Sequence, residues 1–536
     1  MMGTAVLLVV LAAGTALALT LTRVLYLLHM LQLEEYDTRR FIHWVLVHVD
    51  RLAANPMLDL LGLLGVAVLF LRLESASSIV IACSLSIATG LAGLQWERRL
   101  RARSPVKKAF VMTPRAGRLL VCTAIISTGM CLAPLAGQGR LALAIAWLLP
   151  AMAPLVLVVS RTIMEPVEAA IRNWYVKDAR RVLAGFGPTV VGITGSYGKT
   201  STKFFTAHLL ESRYRVLMTP ESYNTAMGIC RVIREQLGPE HEVLVVELAE
   251  NERGGFRHLL SLVPCSISVV TSVGLQHLEE FGSKEAIRRV LRGFVSMPGS
   301  GSAVVLNGDD PVLAGVEDVH GKRLLRASAS GSSSSDLHAE SILMEVDGLS
   351  FDIVTKQGER FACQTTLLGR HNVENILLAV AVARELGVSW NAIQDGVATL
   401  QAPPHRLQMM AGAGGVRIID DAFNSNPAGF AMAMEVLAAF PSRRILVTPG
   451  LVSLGDAEDA ANSEAGRQAA GAADTVILVG PKKTRPVREG LVMAGFPETS
   501  ILLARSLEEV TVLMRSLVTP GDTVMFENDL PDTYNE

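Results

Sequence analysis

Charge and cysteine are both scarce in this 536-residue chain. Only 19% of its residues are charged and the formal net charge is −2, so nothing in the overall charge indicates nucleic-acid binding. No CxxC pair or Cys/His cluster occurs, which argues against a zinc site or a disulfide framework and favours buried thiols in a reducing compartment. The six cysteines are scattered along the chain: Cys83, Cys122, Cys131, Cys230, Cys265 and Cys363.

Hydrophobic residues, by contrast, are abundant and concentrated. They make up 50% of the chain, the mean hydropathy is +0.36, and nearly all of the excess precedes residue 161. Such an average is high for a soluble enzyme. The first apolar segment has no basic n-region and no clear cleavage site, so we predict a retained helix rather than a signal peptide. Five segments are long enough, or nearly so, to cross a hydrocarbon core of about 30 Å: 4–28, 57–73, 77–94, 119–136 and 141–159.

Basic residues between the third and fourth apolar segments indicate how the chain is oriented across the membrane. Eight Lys or Arg side chains lie between residues 97 and 118, and by the positive-inside rule this loop is cytoplasmic. We expect it to contact anionic lipid headgroups, with nucleic-acid binding as the less favoured alternative. The sequence therefore predicts a multi-pass protein of the cytoplasmic membrane, with an outer N-terminus and catalytic domains on the cytoplasmic side.

A shorter amphipathic helix is predicted between the first two segments. Phe41, Val45, Leu46 and Val49 recur near helical spacing, as in a helix that lies at a membrane interface. The two histidines of this stretch are interpreted as interfacial residues rather than as ligands.

After Arg161 the pattern becomes that of an α/β protein. Runs such as TVVGIT, EVLVVEL, SISVVTSV and SAVVLN alternate with helix-length segments, which predicts a mostly parallel sheet. A second block from Pro403 repeats this pattern and is typical of a Rossmann-like domain. The predicted fold is an α-helical membrane domain followed by two α/β domains, with boundaries at 1–165, 166–402 and 403–536.

The clearest chemical motif is VVGITGSYGKTSTK, residues 190–203. A β-run leads through a glycine-rich turn into a helix, so that backbone N–H groups and the helix N-terminus can hold phosphates. Lys199 would reach the β- and γ-phosphates and Thr200 would bind Mg²⁺. Ile193 departs from the common GxxxxGK[ST] pattern. The predicted ATP-binding residues of this loop are Gly195, Ser196, Gly198, Lys199, Thr200 and Ser201.

This loop resembles the ATP loop of the Mur ligase family, ATP-dependent carboxylate–amine ligases of cell-wall synthesis to which folylpolyglutamate synthases are related. Further segments resemble the family in the same order, over about residues 187–528. HLEEFGS and DDAFNSNP are most similar to its D-alanyl-D-alanine-adding members. The matching segments are SYNTAMGI, VVELAENERGG, TSVGLQHLEEFGS, LNGDDP, GRHNVENILLAVAVA, PPHRLQ, IIDDAFNSNP and PGLVSLG.

The resemblance implies roles for single residues. Glu247 and His277 would bind Mg²⁺ together with Thr200, and Lys199, Glu247 and His277 would form the catalytic set. Asn224 and Asn424 would face the substrate. For ATP, the resemblance implies adenine contacts from Asn372 and Asn375, a phosphate contact from Arg406 and a ribose contact from Asp421. Taken singly, each of these residues is also compatible with a structural role.

The implied reaction uses ATP and Mg²⁺. ATP would phosphorylate a substrate carboxylate, and an amine would attack the resulting acyl phosphate to form an amide. The protein would neutralise charge and position the reactants, aided by closure of the last domain onto the central one. The expected partners are a carboxylate acceptor, lipid-linked or a muropeptide, an amine substrate and membrane lipids, with no nucleic acid.

The sequence departs from the family pattern in three places. Apolar helices stand where the family has its UDP-binding domain, which favours a membrane-proximal acceptor. Leu291 occupies the position where the family often has a carbamylated lysine, so a second carbamate-bridged Mg²⁺ is not expected. The C-terminal Lys-Gly-Ser-like loop is replaced by FENDLPDTYNE, whose acids Glu527, Asp529 and Asp532 suit either a cationic amine or a solvated acidic tail.

Three functional hypotheses remain open at this point. The first is a membrane-tethered peptidoglycan ligase of the D-alanyl-D-alanine-adding type. The second is a ligase for another polymer, such as a capsular polyglutamate or a lipid-linked peptide. The third is a non-catalytic, membrane-anchored nucleotide sensor or scaffold, against which the intact phosphate and metal motifs argue.

Overall fold

The structure is a computed structural model with two compact units, which divide between Arg172 and Asn173. The predicted division into three domains stays a prediction. The structure describes residues 2–48, 76–103, 109–132, 148–221, 223–249, 255–273, 294, 303–317, 319, 321–331, 334–423, 425–452 and 454–529.

The first unit is helical. Its interior is formed by apolar side chains that include Leu27, Leu28, Phe41, Leu119 and Leu157. The helices are α1 Met2–Leu33, α2 Thr38–Val47, α3 Ala76–Arg103, α4 Pro114–Leu132 and the first part of α5 Ala153–Phe186.

The short helix α2 is present as predicted, and Phe41 and Val45 of its predicted apolar stripe pack in the helical core. Asp37 caps its N-terminus by accepting hydrogen bonds from the backbone N–H groups of Arg39 and Arg40, at 2.7 and 2.9 Å. Phe41 and Trp44 are buried against the helical core, whereas Leu46 is 67% exposed. Val49 lies outside the described residues.

Within the part of the chain that the structure describes, two helical stretches are long and apolar enough to cross a membrane: Leu7–Leu33 and Pro114–Leu132. Length and composition alone carry this finding, and a signal sequence or a buried core helix can have the same properties. Of the other predicted segments, 57–73 and the first part of 141–159 lie outside the described residues. A membrane domain of about five helices therefore stays a prediction.

A buried ion pair joins α1 to α3. The Nε of Arg23 lies 3.2 Å from the Oε1 of Glu97, and the two side chains are only 9% and 10% exposed. Because an ion pair removed from water is costly to break, loss of either partner would leave a poorly solvated charge between the helices. The pair thereby favours one relative placement of these two helices.

The described residues of the second unit form two sheets, of which the first has nine strands. Its order is β2-β3-β1-β4-β5-β6-β7-β8-β9, parallel from β2 to β7 and antiparallel from β7 to β9. The central strands are apolar on both faces because helices cover both sides. The strands are β1 Thr189–Thr194, β2 Val216–Met218, β3 Val243–Glu247, β4 Ile267–Val270, β5 Ala303–Asn307, β6 Arg323–Ser328, β7 Leu337–Glu345, β8 Gly348–Thr355 and β9 Arg360–Thr365.

Helices flank this sheet. Almost every side chain of α9 is buried, because it lies between the sheet and neighbouring helices. Thr225 caps α7 by accepting a hydrogen bond from the N–H of Gly228. The helices are the last part of α5, α6 Lys199–Glu211, α7 Ala226–Gln236, α8 Gly255–Leu262, α9 His371–Glu385 and α10 Trp390–Ala398.

The second sheet has six strands in the order β10-β11-β15-β12-β13-β14, all parallel except β10. This confirms the parallel α/β prediction and places the last strand, β15, in the sheet interior. Its elements are β10 Gln408–Ala411, β11 Arg417–Asp421, α11 Pro427–Ala438, β12 Arg444–Thr448, α12 Glu458–Ala472, β13 Thr475–Val479, α13 Arg485–Met493, β14 Ile501–Ala504, α14 Leu507–Leu517 and β15 Thr523–Glu527.

Candidate nucleotide and catalytic site

The glycine-rich loop connects β1 to α6, as the sequence predicts. Gly195 and Gly198 have φ angles of +138° and +79°, which side-chain-bearing residues rarely adopt. Ser272, which follows the neighbouring strand β4, binds the loop through two hydrogen bonds. Its carbonyl accepts from the backbone N–H of Ser196 at 2.8 Å, and its Oγ accepts from the backbone N–H of Tyr197 at 3.0 Å. The loop therefore presents a preformed turn at a helix N-terminus, the geometry that suits a phosphate.

Gly198 also lies against α9. A Cβ at this position would overlap the Oδ1 of Asn375. We therefore expect Gly198→Ala to weaken nucleotide binding more than tenfold and to lower the melting temperature. The backbone strain of alanine at a positive φ and the steric overlap with Asn375 both destabilise the loop. Binding of a fluorescent ADP analogue measures the first effect and thermal unfolding the second.

Gly187 offers a matched control for that substitution. It also has a positive φ, +62°, but a Cβ there would meet no atom within 4 Å. Gly187→Ala should cost about 1 kcal/mol of backbone strain and leave nucleotide binding unchanged. Equal binding losses in the two variants would show that the contact with Asn375 is irrelevant.

Lys199 begins α6 and folds back over the loop. Its Nζ donates to the carbonyls of Gly195 and Ser196, at 2.7 and 3.0 Å. Burial lowers the pKa of Lys199 to about 8, although Glu247 acts in the opposite direction. Its ammonium therefore lies at the carbonyls of the glycine-rich loop.

Glu247 is the centre of the site. It ends β3, is 1% exposed, and accepts hydrogen bonds through both carboxylate oxygens. The Oε2 accepts from the Oγ1 of Thr200 at 2.9 Å, and the Oε1 accepts from the Nδ2 of Asn224 at 3.0 Å. The phosphate loop, the carboxylate and the predicted substrate-facing asparagine thus meet at one point.

The donor set at this point suits Mg²⁺. Thr200 and Glu247 supply two oxygens, and Mg²⁺ is commonly held by one or two protein oxygens together with phosphate and water. His277, the third predicted ligand, lies outside the described residues. Among the residues that are described, no group of three or more His, Cys, Asp or Glu side chains forms a metal cluster.

Arg406 reaches this point from the loop before β10. Its Nη2 lies 3.5 Å from the Oγ1 of Thr200, and its guanidinium stacks 4.7 Å from the ring centre of Phe423. The neighbouring Leu407 donates its N–H to the Oδ1 of Asp421 at 3.1 Å. Burial raises the pKa of Asp421 to about 6, against the effects of that hydrogen bond and of Arg406. The phosphate contact of Arg406 and the ribose contact of Asp421 stay predictions.

The two predicted adenine-contacting asparagines are engaged within the protein. Asn375 accepts from the Oγ1 of Thr202 at 3.2 Å and donates to the Oδ1 of Asn372 at 3.2 Å. Asn372 in turn donates to the carbonyl of Leu368 at 2.7 Å. These amides tie α9 to α6 behind the phosphate loop, and their contact with adenine stays a prediction.

The other predicted site residues divide into two groups. Ser201 is buried in the first turn of α6, next to the residues that meet at Glu247. Asn424 and Leu291 lie outside the described residues, as His277 does. The sequence analysis gave no role to Lys203, whose Nζ lies 3.6 Å from the Oε2 of Glu247. Lys203 follows Lys199 by one helical turn within the quoted motif, but the sequence alone gives no sign that its side chain is buried beside Glu247.

The prediction for the acidic C-terminal segment is wrong for Glu527. This residue ends β15 inside the second sheet, is fully buried, and accepts a hydrogen bond from the Oγ1 of Thr448 at 3.0 Å. Burial, together with the charge of Asp421, raises the pKa of Glu527 to about 8. A fully buried carboxyl is neither part of a solvated tail nor an accessible site for an amine. Asp529 is exposed, and Asp532 lies outside the described residues.

Comparison with known proteins identifies the chain. The Mur ligase middle domain matches residues 193–383, and the Mur ligase glutamate ligase domain matches residues 405–527. The UDP-N-acetylmuramoyl-tripeptide–D-alanyl-D-alanine ligase of Mycobacterium leprae is 30% identical over 391 residues, covering 67% of this chain and 74% of that protein. The Escherichia coli ligase of the same name is 30% identical over 354 residues, covering 64% and 77%. The chain belongs to the Mur ligase family.

Solved structures agree with this assignment. The MurF ligase of Thermotoga maritima in complex with ADP matches with a TM-score of 0.59 and 25% identity, covering 68% of this chain and 81% of that one. A MurF structure from Acinetobacter baumannii has a TM-score of 0.61 and 24% identity, covering 68% and 78%. This Mur ligase is an ATP-dependent acid–amino-acid ligase, and its first 192 residues precede both family matches.

Proposed function

We propose that this Mur ligase joins a muropeptide carboxylate to an amine of the D-alanyl-D-alanine type, with Mg²⁺ as the metal, in peptidoglycan-precursor synthesis. The supporting observation is the junction at Glu247, where Thr200 of the phosphate loop and Asn224 of the predicted acceptor side bind opposite oxygens of one carboxylate. The names of its relatives supply the substrate class. Such a junction suits a reaction that transfers phosphate between a nucleotide and an acceptor.

In this proposal, the chain's own residues position and neutralise charge. Lys199 and the loop N–H groups hold the terminal phosphates of ATP, and Arg406 adds positive charge on the other side of Thr200. Thr200 and Glu247 would hold Mg²⁺, which supplies further charge neutralisation when bound. The proposed roles of His277 in metal binding and of Asn424 in substrate binding belong to this same arrangement.

The bond changes follow from these positions. An acceptor carboxylate oxygen attacks the γ-phosphorus and ADP leaves, which gives an acyl phosphate. The neutral amine then attacks the acyl carbon, phosphate leaves, and the nitrogen loses a proton as the amide forms. Asn224 would orient the acceptor beside Glu247, so that its carboxylate faces the phosphate held by Lys199.

We place this reaction at the cytoplasmic face of the membrane. Two apolar helical stretches precede the ligase unit, and eight basic residues lie between residues 97 and 118. An acceptor near the membrane, either lipid-linked or UDP-linked, would be compatible with this location. One experiment can test the membrane location and the identity of the acceptor separately.

That experiment measures ADP release by the purified full chain in nanodiscs. The panel pairs UDP-linked and lipid-linked muropeptides with D-alanyl-D-alanine, single amino acids and diamines. We expect release to depend on one acceptor–amine pair that includes D-alanyl-D-alanine, and a lipid-linked preference would support the membrane-proximal acceptor. Nucleotide binding without release on any pair would contradict the proposal and favour a non-catalytic scaffold.

A further inference from the structure

Lys203 lies in the interior of the central sheet domain. It belongs to the second turn of α6 and its side chain is fully buried, which is unusual for lysine. A buried ammonium requires compensating partners, because burial disfavours its charged form. The position of Lys203 therefore depends on what its Nζ contacts.

Besides the ring of Phe204, whose centre lies 5.2 Å away, this nitrogen has two polar partners. It lies 3.6 Å from the Oε2 of Glu247 and donates a hydrogen bond to the backbone carbonyl of Glu221. Glu221 has a φ of +43°, in the left-handed region that residues with a side chain rarely adopt. Lys203 thus binds the central carboxylate of the site and an unusual backbone turn at the same time.

This turn, which the structure describes for residues 219–221 and 223–225 and which is called the 219–225 turn below, leads from β2 to α7 and carries Asn224. It is attached to the end of β3 at three further points. The Oγ1 of Thr219 accepts from the N–H of Glu247 at 3.3 Å, the carbonyl of Asn224 accepts from the N–H of Ala249 at 3.2 Å, and the Nδ2 of Asn224 donates to Glu247 at 3.0 Å. Lys203 is the charged member of this set and is held by α6, the helix that also carries Lys199.

We propose that Lys203 is a positioning residue, which holds the 219–225 turn against the Glu247 carboxylate so that Asn224 and Glu247 face the acceptor and the nucleotide as one preformed unit. The inference rests on the proposed function, which gives Asn224 to the acceptor and Glu247 to the metal. A lysine that merely fills the core would stabilise α6 and β1 as much as the turn. A positioning role and a core-filling role predict different regions of local unfolding when the ammonium is removed: the turn alone in the first case, and the turn together with α6 and β1 in the second.

Hydrogen exchange on the full chain tests this difference without turnover. In Lys203→Met, peptides covering 216–226 should exchange about tenfold faster, while those of β1 and the phosphate loop stay within about twofold of the wild type. Lys203→Arg retains the charge and should stay within about threefold of the wild type throughout. Unchanged exchange in the turn, equal acceleration across α6 and β1, or identical behaviour of the Arg and Met variants would overturn the proposal.

Lys356→Met is the matched control. This lysine is 61% exposed and lies 3.9 Å from Asp336 at the surface, so the same substitution should leave exchange in the turn unchanged. If Lys203→Met does not fold, Lys203→Gln replaces it, since its shorter, uncharged amide removes the ion pair with Glu247 and shortens the reach to the Glu221 carbonyl. The Gln variant should then show the same confined acceleration, and its absence would overturn the proposal in the same way.

Steady-state kinetics gives the second readout. In Lys203→Met, kcat should fall about tenfold and KM for the acceptor should rise about tenfold, while KM for ATP stays within about twofold. Equal effects on both substrates would contradict a role in acceptor positioning. A wild-type enzyme inactive on every pair would contradict the proposed function alone, because hydrogen exchange would still decide the role of Lys203.

Discussion

Lys199→Ala is expected to reduce acceptor-dependent ADP release by about 10²–10³-fold, the usual cost of removing one group that stabilises transition-state charge. The reason is geometric. The Nζ lies over the phosphate loop, bound only to the carbonyls of Gly195 and Ser196 among its described hydrogen-bond partners. The approaching phosphates would compete for this ammonium, and alanine would leave their charge uncompensated. Initial rates at saturating ATP and acceptor measure the effect.

The same variant should remain folded. Because the described hydrogen bonds of Lys199 all go to its own loop, its loss should change the melting temperature by only a few degrees, or about 1 kcal/mol. Lys356→Ala, at an exposed lysine, should release ADP at the wild-type rate. Retention of more than a tenth of the rate by Lys199→Ala would show that this loop does not act on the transferred phosphate.

The predicted fold follows the structure closely where apolar runs are continuous. Strands β1, β3, β4 and β5 are buried on both faces, so their sequences are nearly unbroken apolar runs. Several strands outside the quoted runs escaped prediction, three of them for local reasons. Strand β2 has only three residues, β6 begins and ends with polar residues, and β10 is a short edge strand of four. Pairing with neighbours, rather than local sequence, stabilises these three.

In the candidate site, too, features set by neighbouring residues were predictable, whereas features set by contacts between distant parts of the chain were not. The phosphate loop was predictable because its glycines, lysine and threonine are contiguous. The packing of Asn375 against Gly198 and the burial of Lys203 were not, because they depend on helices and strands far apart in the chain. Glu527 is the clearest case. In sequence it belongs to an acidic C-terminal segment, but pairing of β15 between β11 and β12 buries it.

Glu527→Gln is expected to change how stability depends on pH. The pKa of Glu527 is raised from 4.5 to about 8, so between these values the folded chain holds a proton that the unfolded chain releases. Raising the pH through this window therefore lowers the free energy of unfolding, by up to about 1.4 kcal/mol per pH unit. Glutamine resembles the protonated carboxyl and can still accept from Thr448, so the variant should lack this loss.

The useful interval is pH 7–8, because other buried groups dominate outside it. Burial raises the pKa of Asp421 to about 6 and that of Glu374 to about 7, so both destabilise the folded state with rising pH mainly below this interval, and their effect is shared by the wild type and the variant. Burial lowers the pKa of His371 from 6.5 to about 4, which acts in the opposite sense below pH 6.5. Lys199 and Lys203, with pKa values lowered to about 8, increase stability with pH mainly above pH 8.

Thermal unfolding at pH 7.0 and 8.0, with the full chain in nanodiscs, tests this expectation. The melting temperature of Glu527→Gln should rise relative to the wild type by about 1–2 °C over that unit. Glu464→Gln, at a 52% exposed glutamate of α12 paired with Arg467, should follow the wild type at both pH values. Parallel curves for the wild type and Glu527→Gln would mean that Glu527 is already ionised in the folded state. The interior of the second sheet would then hold a negative charge next to Asp421, and an amine-binding role for this carboxylate would again be open.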